Sequence, residues 1–531
     1  MSAISKANLE KISRLLHPIV YVRGYAMSEG ERDETTVDPF CGFNLGSTVY
    51  RADIDKDKKA RKFIFESPVV RLMSDFGYTD VYENGLDIMD DGWTGKIPYR
   101  SIVIYRYYEQ GSTLLGSGKS SPIEDYARGL GALIAKLRDL VIDANGHGVA
   151  DFKCYLVAHS MGGLVCRAFL QNPALGDATV RSWVDKVYTY ATPHNGIEMG
   201  GVNIPSWLAK NDMSNFNREQ MAGFLALEKD PEYLAQKDQD GRVDFLRNFP
   251  PDRFFCMIGT NRADYNAAAG VSRAFSGHGS DGLVKIDNAA LYGKDASGTT
   301  VACPRAYAYR SHSGFFGIVN SEEAFQNLTR FLFGDLRIDI WFDVDTVTVP
   351  KSLQSKVADL EAAYHFELLA APRGMIWCLT RRIAEEDSVA VRTQQELAGP
   401  GTKAIYLSTV FLSSWAKVDE TDNKLSYAVT LRIGVQEYLV KGIIFKDHFE
   451  GVKLFSDTLF VSITPPEKVE WKWAQDTAAG SHDFSAQETE ALREGRPVSV
   501  SVTIPGGAKQ DAAGITGSLR FVATPWNSLP S

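Results

Sequence analysis

Residues 154–170 read Cys154-Tyr155-Leu156-Val157-Ala158-His159-Ser160-Met161-Gly162-Gly163-Leu164-Val165-Cys166-Arg167-Ala168-Phe169-Leu170. The stretch begins as an apolar strand and continues, after small residues around Ser160, as a helix. A serine on such a sharp strand-to-helix turn is exposed on a strained backbone, and small neighbours two positions away, here Ala158 and Gly162, let strand and helix approach. We therefore predict that Ser160 is a nucleophile. A chance Ser-x-Gly turn is the alternative, which the strand, the helix and the additional Gly163 disfavour.

Short apolar runs alternate with longer helical patterns up to about residue 335, as in a parallel sheet with crossover helices. The runs are almost continuously apolar, which is typical of central strands covered on both faces. They lie at residues 18–22, 101–105, 154–158, 186–190 and 254–258. Residues 123–138 repeat apolar side chains at three- and four-residue steps, which predicts an amphipathic crossover helix. We predict an α/β fold with a mostly parallel sheet and helices on both faces.

The pattern changes near residue 338 to period-two, β-rich runs. They lie at residues 338–344, 426–433, 443–445, 458–463, 497–502 and 517–522. This change predicts a separate all-β, sandwich-like domain. We place the first domain at residues 1–336 and the second at residues 337–531.

Composition excludes several classes of protein. The chain has 531 residues, 44% hydrophobic and 23% charged, and a net charge of -9 without a long basic run, so nucleic acid is not an expected partner. Its length exceeds the roughly 250–300 residues at which a single core stops growing. No signal-like start and no membrane-span-length apolar stretch is found, and the six scattered cysteines fit a reducing compartment. We expect a cytoplasmic protein.

A general base for Ser160 has to be chosen among nine histidines. In this kind of sheet the acid and then the histidine follow the serine along the chain. His194 comes too early and is interpreted as a turn or pocket-wall residue, whereas His278 precedes Asp281 and would reverse the order. His312 lies in a polar turn ahead of the last predicted helix of the domain. We predict His312 as the general base, with an ordinary loop histidine as the alternative.

Two aspartates are candidates for the acid. Asp264 follows the predicted strand at residues 254–258 most closely, and Asp281 follows it at a greater distance. An aspartate before glycine often only caps its own turn, so Asp281 is weak as an isolated motif. Its position between Ser160 and His312 favours it, and we predict that Asp281 orients and stabilises the imidazole.

Acyl transfer also requires backbone N–H groups that face the developing oxyanion. One should belong to Met161, directly after the nucleophile, and the other to the loop after the early strand. In that loop Gly24 permits a tight turn, which would point the amide of Tyr25 into the site. We predict Tyr25 and Met161 as the oxyanion donors.

Four motifs resemble those of bacterial lipases and of esterases related to GPI inositol-deacylase, which are α/β-hydrolases. The motifs are HPIVYVRG at residues 17–24, AHSMGG at 158–163, DGLV at 281–284 and SHSG at 311–314. The resemblance covers residues 15–335 and implies a serine esterase or lipase. It implies a triad of Ser160, Asp281 and His312, and it implies Tyr25 and Met161 as oxyanion donors.

The chain departs from this family at one motif. It has Arg23-Gly24 where the family usually has His-Gly, which changes the local hydrogen bonding but not the backbone donor. We identify no calcium-ligand pair of the kind that some such lipases carry. No metal and no cofactor are therefore predicted.

The leading hypothesis is hydrolysis of a carboxylic ester through an acyl-enzyme on Ser160, with small-molecule acyl or lipid esters as substrates. Lipids are favoured because residues 195–250 interrupt the alternation where a lid could lie, although packing of this segment onto the core explains its apolar residues equally well. Those residues are Trp207, Leu208, Phe216, Phe224, Leu225 and Leu227.

Two alternatives stay open at the level of sequence. An amidase or thioesterase would use the same triad, and a binding or scaffold protein could use an inactive hydrolase fold. The presence of all three triad residues argues against the scaffold. The β-rich domain is expected to make any transient contact with a membrane or a partner protein.

Overall fold

The structure is a computed structural model that describes sixteen segments of the chain. They are residues 4–24, 47–51, 61–65, 68–81, 88–107, 121–199, 202–203, 215–263, 279–313, 317–399, 403–416, 424–441, 446–465, 467–476, 478–506 and 513–527. The chain divides into two compact units. The first comprises Met1–Arg305 and Arg310–Leu328, and the second comprises Ala306–Tyr309 and Thr329–Ser531.

Both strands and helices occur along the chain up to Phe333. The helices are α1 (Lys6–Lys11), α2 (Pro68–Phe76), α3 (Ile123–Leu140), α4 (Met161–Gln171), α5 (Ala178–Ser182), α6 (Arg218–Phe224), α7 (Pro231–Gln236) and α8 (Glu322–Phe333). The strands are β1 (Ile19–Val22), β2 (Ser47–Arg51), β3 (Arg61–Phe65), β4 (Thr79–Asp80), β5 (Ile97–Pro98), β6 (Ser101–Tyr105), β7 (Val141–Ile142), β8 (Cys154–His159), β9 (Val184–Tyr190), β10 (Glu198–Met199), β11 (Val202–Asn203), β12 (Phe245–Leu246), β13 (Phe254–Gly259), β14 (Tyr292–Lys294), β15 (Thr300–Ala302) and β16 (Arg305–Ala308).

Six strands of a seven-stranded sheet lie in the first unit, in the order β13, β9, β8, β1, β6 and β4. Each neighbouring pair among the six is parallel. Every residue of β8 and of β13 is buried, which requires cover on both faces of the sheet. The order is not sequential because helices cross over between strands, and it places β8, the strand before Ser160, near the middle of the sheet.

The crossover helix α3 follows from its sequence. Pro122 precedes it, Glu124 and Asp125 lie in its first turn and Arg138 in its last turn, which is the charge order that a helix dipole favours. One face is buried and carries Ile123, Tyr126, Ala127, Leu130, Leu133, Ile134 and Leu137. The apolar spacing therefore produces the amphipathic helix that the sequence predicts.

The second unit is built from antiparallel strands. They are β17 (Leu336–Thr348), β18 (Leu360–Pro372), β19 (Thr380–Arg382), β20 (Ala390–Thr393), β21 (Ala404–Leu412), β22 (Leu425–Lys441), β23 (Lys446–Thr464), β24 (Lys468–Trp473), β25 (Ala479–Asp483), β26 (Val498–Thr503) and β27 (Gly514–Pro525), with helices α9 (Gln394–Ala398) and α10 (Ala486–Arg493). One sheet has the order β21, β17, β27 and β26, and the other has the order β19, β18, β22, β23, β24 and β25, with β20 paired to β18.

The two sheets of this unit share one apolar core. Burial alternates residue by residue along β18, as expected for a strand with one face on a core. Phe342 of β17 and Phe366 of β18 belong to opposite sheets, and their ring centroids lie 5.5 Å apart within the shared core. The fold class predicted from the sequence is confirmed: a mostly parallel α/β sheet with helices, followed by an all-β part. The strand predicted at residues 443–445 lies outside the described residues.

Within the described segments, no helix has both the length and the apolarity needed to cross a bilayer.

Candidate active site

Ser160 lies on the turn between β8 and α4, in a backbone conformation that only glycine adopts easily. Its φ is 52° and its ψ is -126°, and such a conformation costs about 1–3 kcal/mol for a residue with a side chain. The turn is held in place because the Ser160 N–H donates to the Tyr190 carbonyl at 2.9 Å. The hydroxyl is thereby presented at the carboxyl end of the sheet.

Glycines make this tight turn possible. A Cβ on Gly162 would overlap the carbonyl oxygen of Val22, and a Cβ on Gly163 would overlap the side chain of Thr192. A Cβ on Gly24 would lie 2.7 Å from the Cβ of Ser160 itself. Glycine is therefore needed at three positions, and one of them, Gly24, follows β1 and not β8, the strand that precedes Ser160.

The structure brings together the three side chains that the sequence predicts as a triad. Nε2 of His312 lies 2.9 Å from Oγ of Ser160, and Nδ1 of His312 lies 2.9 Å from Oδ2 of Asp281. All three residues are buried. Since 152 residues separate Ser160 from His312 along the chain, this contact is a product of the fold and not of local sequence.

The hydrogen bonds determine the tautomer of His312. An ionised carboxylate only accepts, so Nδ1–H of His312 donates to Asp281 and Nε2 accepts the hydroxyl proton of Ser160. The backbone adds a third bond, from the N–H of His312 to the carbonyl of Asp281 at 2.9 Å. This is the arrangement in which an imidazole can remove the serine proton.

The turn after Asp281 fixes its carboxylate. Oδ1 accepts N–H groups from Leu283 at 3.0 Å and from Val284 at 2.8 Å, which leaves Oδ2 for His312. Gly259, the last residue of β13, makes room for the acid, because a Cβ there would lie 2.9 Å from the Cβ of Asp281. The Asp-Gly turn is thus both a local cap and a support for the histidine.

His159 is a residue of the candidate site that precedes Ser160 along the chain, so the chain order that favours His312 as the base excludes it. Its Nε2–H donates to the backbone carbonyl of His312 at 2.9 Å. Burial lowers the pKa of His159 well below its usual range, so the ring stays neutral near pH 7. Its position beside Ser160 on β8 was the available signal, but its partner is 153 residues away.

The two oxyanion predictions have different outcomes in the structure. Met161 is buried and is the first residue of α4, where N–H groups have no partner within the helix and the helix dipole favours negative charge. Tyr25 lies outside the described residues, which end in this segment at Gly24. Asp264 and His278, the candidates that were weighed and rejected, also lie outside them.

His194 is fully buried away from the triad contacts. Nε2 of His194 lies 3.2 Å from Oγ1 of Thr189, and burial lowers the pKa of His194 well below the usual range. Its carbonyl accepts Nη1–H of Arg167 at 2.8 Å. Arg167 is itself fully buried, and burial lowers its pKa to about 10. No pattern in the sequence predicts this buried cation.

The described part of residues 195–250 is attached to α4, the helix that follows Ser160. Nη2 of Arg167 donates to the carbonyls of Val243 at 2.8 Å and Phe245 at 3.0 Å, and Nε2 of Gln171 donates to that of Leu225 at 2.9 Å. Four of the apolar residues noted above are buried, namely Phe216, Phe224, Leu225 and Leu227. Trp207 and Leu208 lie outside the described residues. Burial of the four favours packing onto the core for that part of the segment.

In the described part of the chain, no group of three or more histidine, cysteine, aspartate and glutamate side chains is arranged to hold a metal ion.

Comparison with known proteins identifies no family for this chain. No family model matches the chain, and no curated protein matches it. The gene lin2722 product from Listeria innocua has a similar solved structure, at 12% identity and a TM-score of 0.26, over 60% of this chain and 93% of that one. Phospholipase PlaB from Legionella pneumophila is also similar, at 12% identity and a TM-score of 0.30, over 78% of this chain and 86% of that one. Neither likeness is close enough to support an inference about function.

Proposed function

We propose that this chain is a serine hydrolase that cleaves carboxylic esters, of acyl or lipid substrates, through an acyl-enzyme on Ser160. The observation that carries the proposal is the continuous hydrogen-bonded series from Asp281 through His312 to Ser160, with both side-chain contacts at 2.9 Å. The same residues stand in the order that the strand-turn-helix motif requires.

The first step in this proposal is acylation. Oγ of Ser160 attacks the ester carbonyl carbon while Nε2 of His312 takes its proton, and the negative charge of Asp281 stabilises the imidazolium that forms. The carbonyl oxygen becomes an oxyanion that the N–H of Met161 stabilises, together with the second donor assigned to Tyr25. When the intermediate collapses, the C–O bond to the alcohol breaks and His312 returns the proton to the leaving oxygen.

The second step is deacylation. A water molecule gives a proton to Nε2 of His312 and attacks the acyl carbon, and the second tetrahedral intermediate expels Oγ of Ser160. The proton on His312 then returns to Ser160, and the carboxylic acid leaves. His159 does not take part in proton transfer in this scheme, because its ring is neutral and its Nε2–H is committed to the carbonyl of His312.

The acyl and lipid class is supported by the position of one segment. Nδ2 of Asn215 lies 4.0 Å from the sulfur of Met161, so the described segment that begins at Asn215 starts beside the residue that follows Ser160. Phe216 follows it and is buried. A segment that is packed onto the core and begins beside Met161 is suited to form one wall for a hydrocarbon chain attached to the ester.

The decisive test is active-site labelling. We expect a fluorophosphonate to label the full chain at Ser160 and to leave Ser160→Ala unlabelled, since the reagent needs an activated hydroxyl. His312→Ala should slow labelling by about 10³-fold or more, because the hydroxyl loses its base. Ser74→Ala, at an exposed serine of α2, is the matched control and should label like the wild type. Equal labelling of wild type and Ser160→Ala would contradict the proposal.

The substrate class needs a separate measurement. Turnover of p-nitrophenyl esters of rising chain length, with matched thioesters and anilides, should show the highest kcat/KM for oxygen esters. A higher kcat/KM for the anilide or the thioester would transfer the assignment to an amidase or a thioesterase, which use the same triad.

A further inference from the structure

The second unit contains an apolar cavity between its two sheets. Its volume is about 230 Å³. One wall comes from β17, β21, β26 and β27, and the other from β18, β22, β23 and β24. Among the described residues that line it, Asp335 carries the only charged side chain. The cavity shares no residue with the Ser160 site.

Burial changes from one end of this cavity to the other. Ile340 and Val429 are almost fully buried, whereas Trp471, Phe484 and Leu492 are half-buried. The half-buried residues belong to β24, to the residue after β25 and to α10. The cavity is therefore closed around Ile340 and Val429 and more exposed beside α10. Leu336 of β17 and Phe521 and Ala523 of β27, which also line it, are half-buried as well.

Topology explains why an opening forms at this place. Strands β25 and β26 each stand at the end of their sheet, and α10 is the connection between them. Ala491 of α10 is buried and Leu492 lines the cavity, while its capping box fixes the start of the helix at Ser485. A short helix thus lies across the open side of the sandwich, with one apolar side chain at the mouth of the cavity.

An empty space of this size is unusual in a protein interior, which is packed about as densely as an organic crystal. Apolar cavities exclude water and instead take up hydrocarbons, and a cavity of about 150 Å³ holds a six-carbon ring. On the same scale, this cavity has room for a chain of about nine carbons. The lining offers hydrophobic contact along the chain and a charged partner only at Asp335.

We propose that this cavity binds a single unbranched acyl chain, with up to about nine carbons inside and the head group in water at the mouth near Phe484 and Leu492. The site recognises the chain and not the head group, because the lining residues at its mouth, Phe484 and Leu492, are apolar. Free fatty acids and single-chain lipids can each supply such a chain. The inference does not depend on catalysis at Ser160.

Calorimetric titration of the full chain with unbranched carboxylates from hexanoate to tetradecanoate, below their micelle concentrations, tests this site. We expect affinity to rise about fourfold per added methylene, up to about nine carbons, and then to level off. Decanol should bind within tenfold of decanoate. An affinity that keeps rising to tetradecanoate, or a stronger preference for one head group, would contradict a closed, chain-specific cavity.

Two adjacent residues of β18 provide matched variants. Ala370 lines the cavity, and Ala371 is its neighbour on the opposite face of the strand. Ala370→Leu should weaken decanoate binding at least tenfold by filling the space, and Ala371→Leu should not change it. Any binding of decanoate at Ser160 is the same in both variants, so it does not contribute to the difference between their affinities. Equal affinity of Ala370→Leu and wild type would overturn the proposal.

A second matched pair keeps the test decisive if Ala370→Leu does not fold. Val461 lines the cavity, whereas Val391 on β20 is 43% exposed. Val461→Phe should lose decanoate binding and Val391→Phe should retain it. Retention by both would again reject the cavity as the site.

Discussion

The first unit buries three polar residues, Ser160, His312 and Asp281, whose exposed fractions are only 5%, 3% and 1%. The second unit instead surrounds an apolar cavity, which is lined mainly by hydrocarbon side chains. Burying a polar group is costly unless a partner satisfies it, so each of these polar atoms has a fixed neighbour. An apolar cavity needs no hydrogen-bond partners, so the packing of its lining side chains specifies only its volume and shape.

This difference predicts two kinds of sensitivity. In the first unit, replacing one atom of Ser160, His312 or Asp281 should change the rate of ester turnover while the fold survives, because the hydrogen bonds define how these side chains are oriented. In the second unit a change of volume should alter stability or occupancy, because packing there defines shape. The predictions below test this contrast, beginning with the largest effect.

Replacement of Asp281 by asparagine should give the largest effect. The amide can donate to Nδ1 of His312 and favour the wrong tautomer, which would leave Nε2 protonated and unable to accept from Ser160. We expect ester turnover to fall by about 10⁴-fold with little loss of stability. Steady-state kinetics and thermal unfolding of the same preparation would measure both.

Asp264→Asn is the matched control for this prediction, because Asp264 is the other acid that the sequence allowed. It should retain near-normal turnover. If Asp264→Asn loses more activity than Asp281→Asn, the role of the acid would move to Asp264, and the contact of Asp281 with His312 would be structural.

Truncation of Phe366 tests the second unit. Phe366 is fully buried in the core of the sandwich, so Phe366→Ala should lower the free energy of unfolding of this unit by about 3–5 kcal/mol. Fluorophosphonate labelling of Ser160 should keep its rate at temperatures where the variant is folded, since the two hydrogen bonds that join Ser160, His312 and Asp281 lie within the first unit.

Ile376→Ala is the control for that experiment, since Ile376 is fully exposed and its loss should change stability by no more than about 0.5 kcal/mol. Urea unfolding with hydrogen exchange would locate the effect in the sequence. A parallel loss of labelling rate in Phe366→Ala would show that the two units do not respond separately.

Acid should destabilise the first unit gradually. Burial lowers the pKa of His17 to about 4 and lowers those of His159 and His194 well below 6.5. The unfolded chain then binds more protons, so the stability from these neutral rings is complete above about pH 6.5 and declines as the pH falls. For His17 the loss should extend from pH 6.5 to about 4, at up to about 1.4 kcal/mol per pH unit.

His17→Gln should make the unfolding free energy less dependent on pH in that window. His147→Gln, at a highly exposed histidine, should leave the dependence unchanged. Denaturant titrations at pH 7, 6, 5 and 4 would measure the slopes. Equal slopes for wild type and His17→Gln would contradict the contribution of His17.

Local patterns were sufficient to predict the elements that carry the site. The predicted turn at Ser160 lies between β8 and α4, the predicted helix at residues 123–138 is part of α3, and the predicted strand at residues 338–344 is part of β17. These elements depend on periodicity and on turn residues, which are properties of neighbouring positions. The only long-range criterion was the order of Ser160, Asp281 and His312 along the chain.

What the sequence could not predict depends on contacts between distant positions. The bond from His159 to the carbonyl of His312, the burial of Arg167 and the need for glycine at position 24 all involve partners far along the chain. The cavity of the second unit arises because the side chains of its two sheets do not fill the space between them. The alternation of apolar and polar residues along a strand does not predict such a space. The oxyanion role of Tyr25 and the domain bounds at 336 and 337 stay predictions.

The backbone of Ser160 implies a conflict between stability and chemistry at one residue. A φ of 52° is easy for glycine and strained for serine, so Ser160→Gly should raise the stability of the first unit by a fraction of the 1–3 kcal/mol that such strain costs. A chain selected for stability alone would therefore carry glycine at this position. The proposed nucleophile is thus a destabilising residue, and the rest of the first unit has to be stable enough to tolerate it.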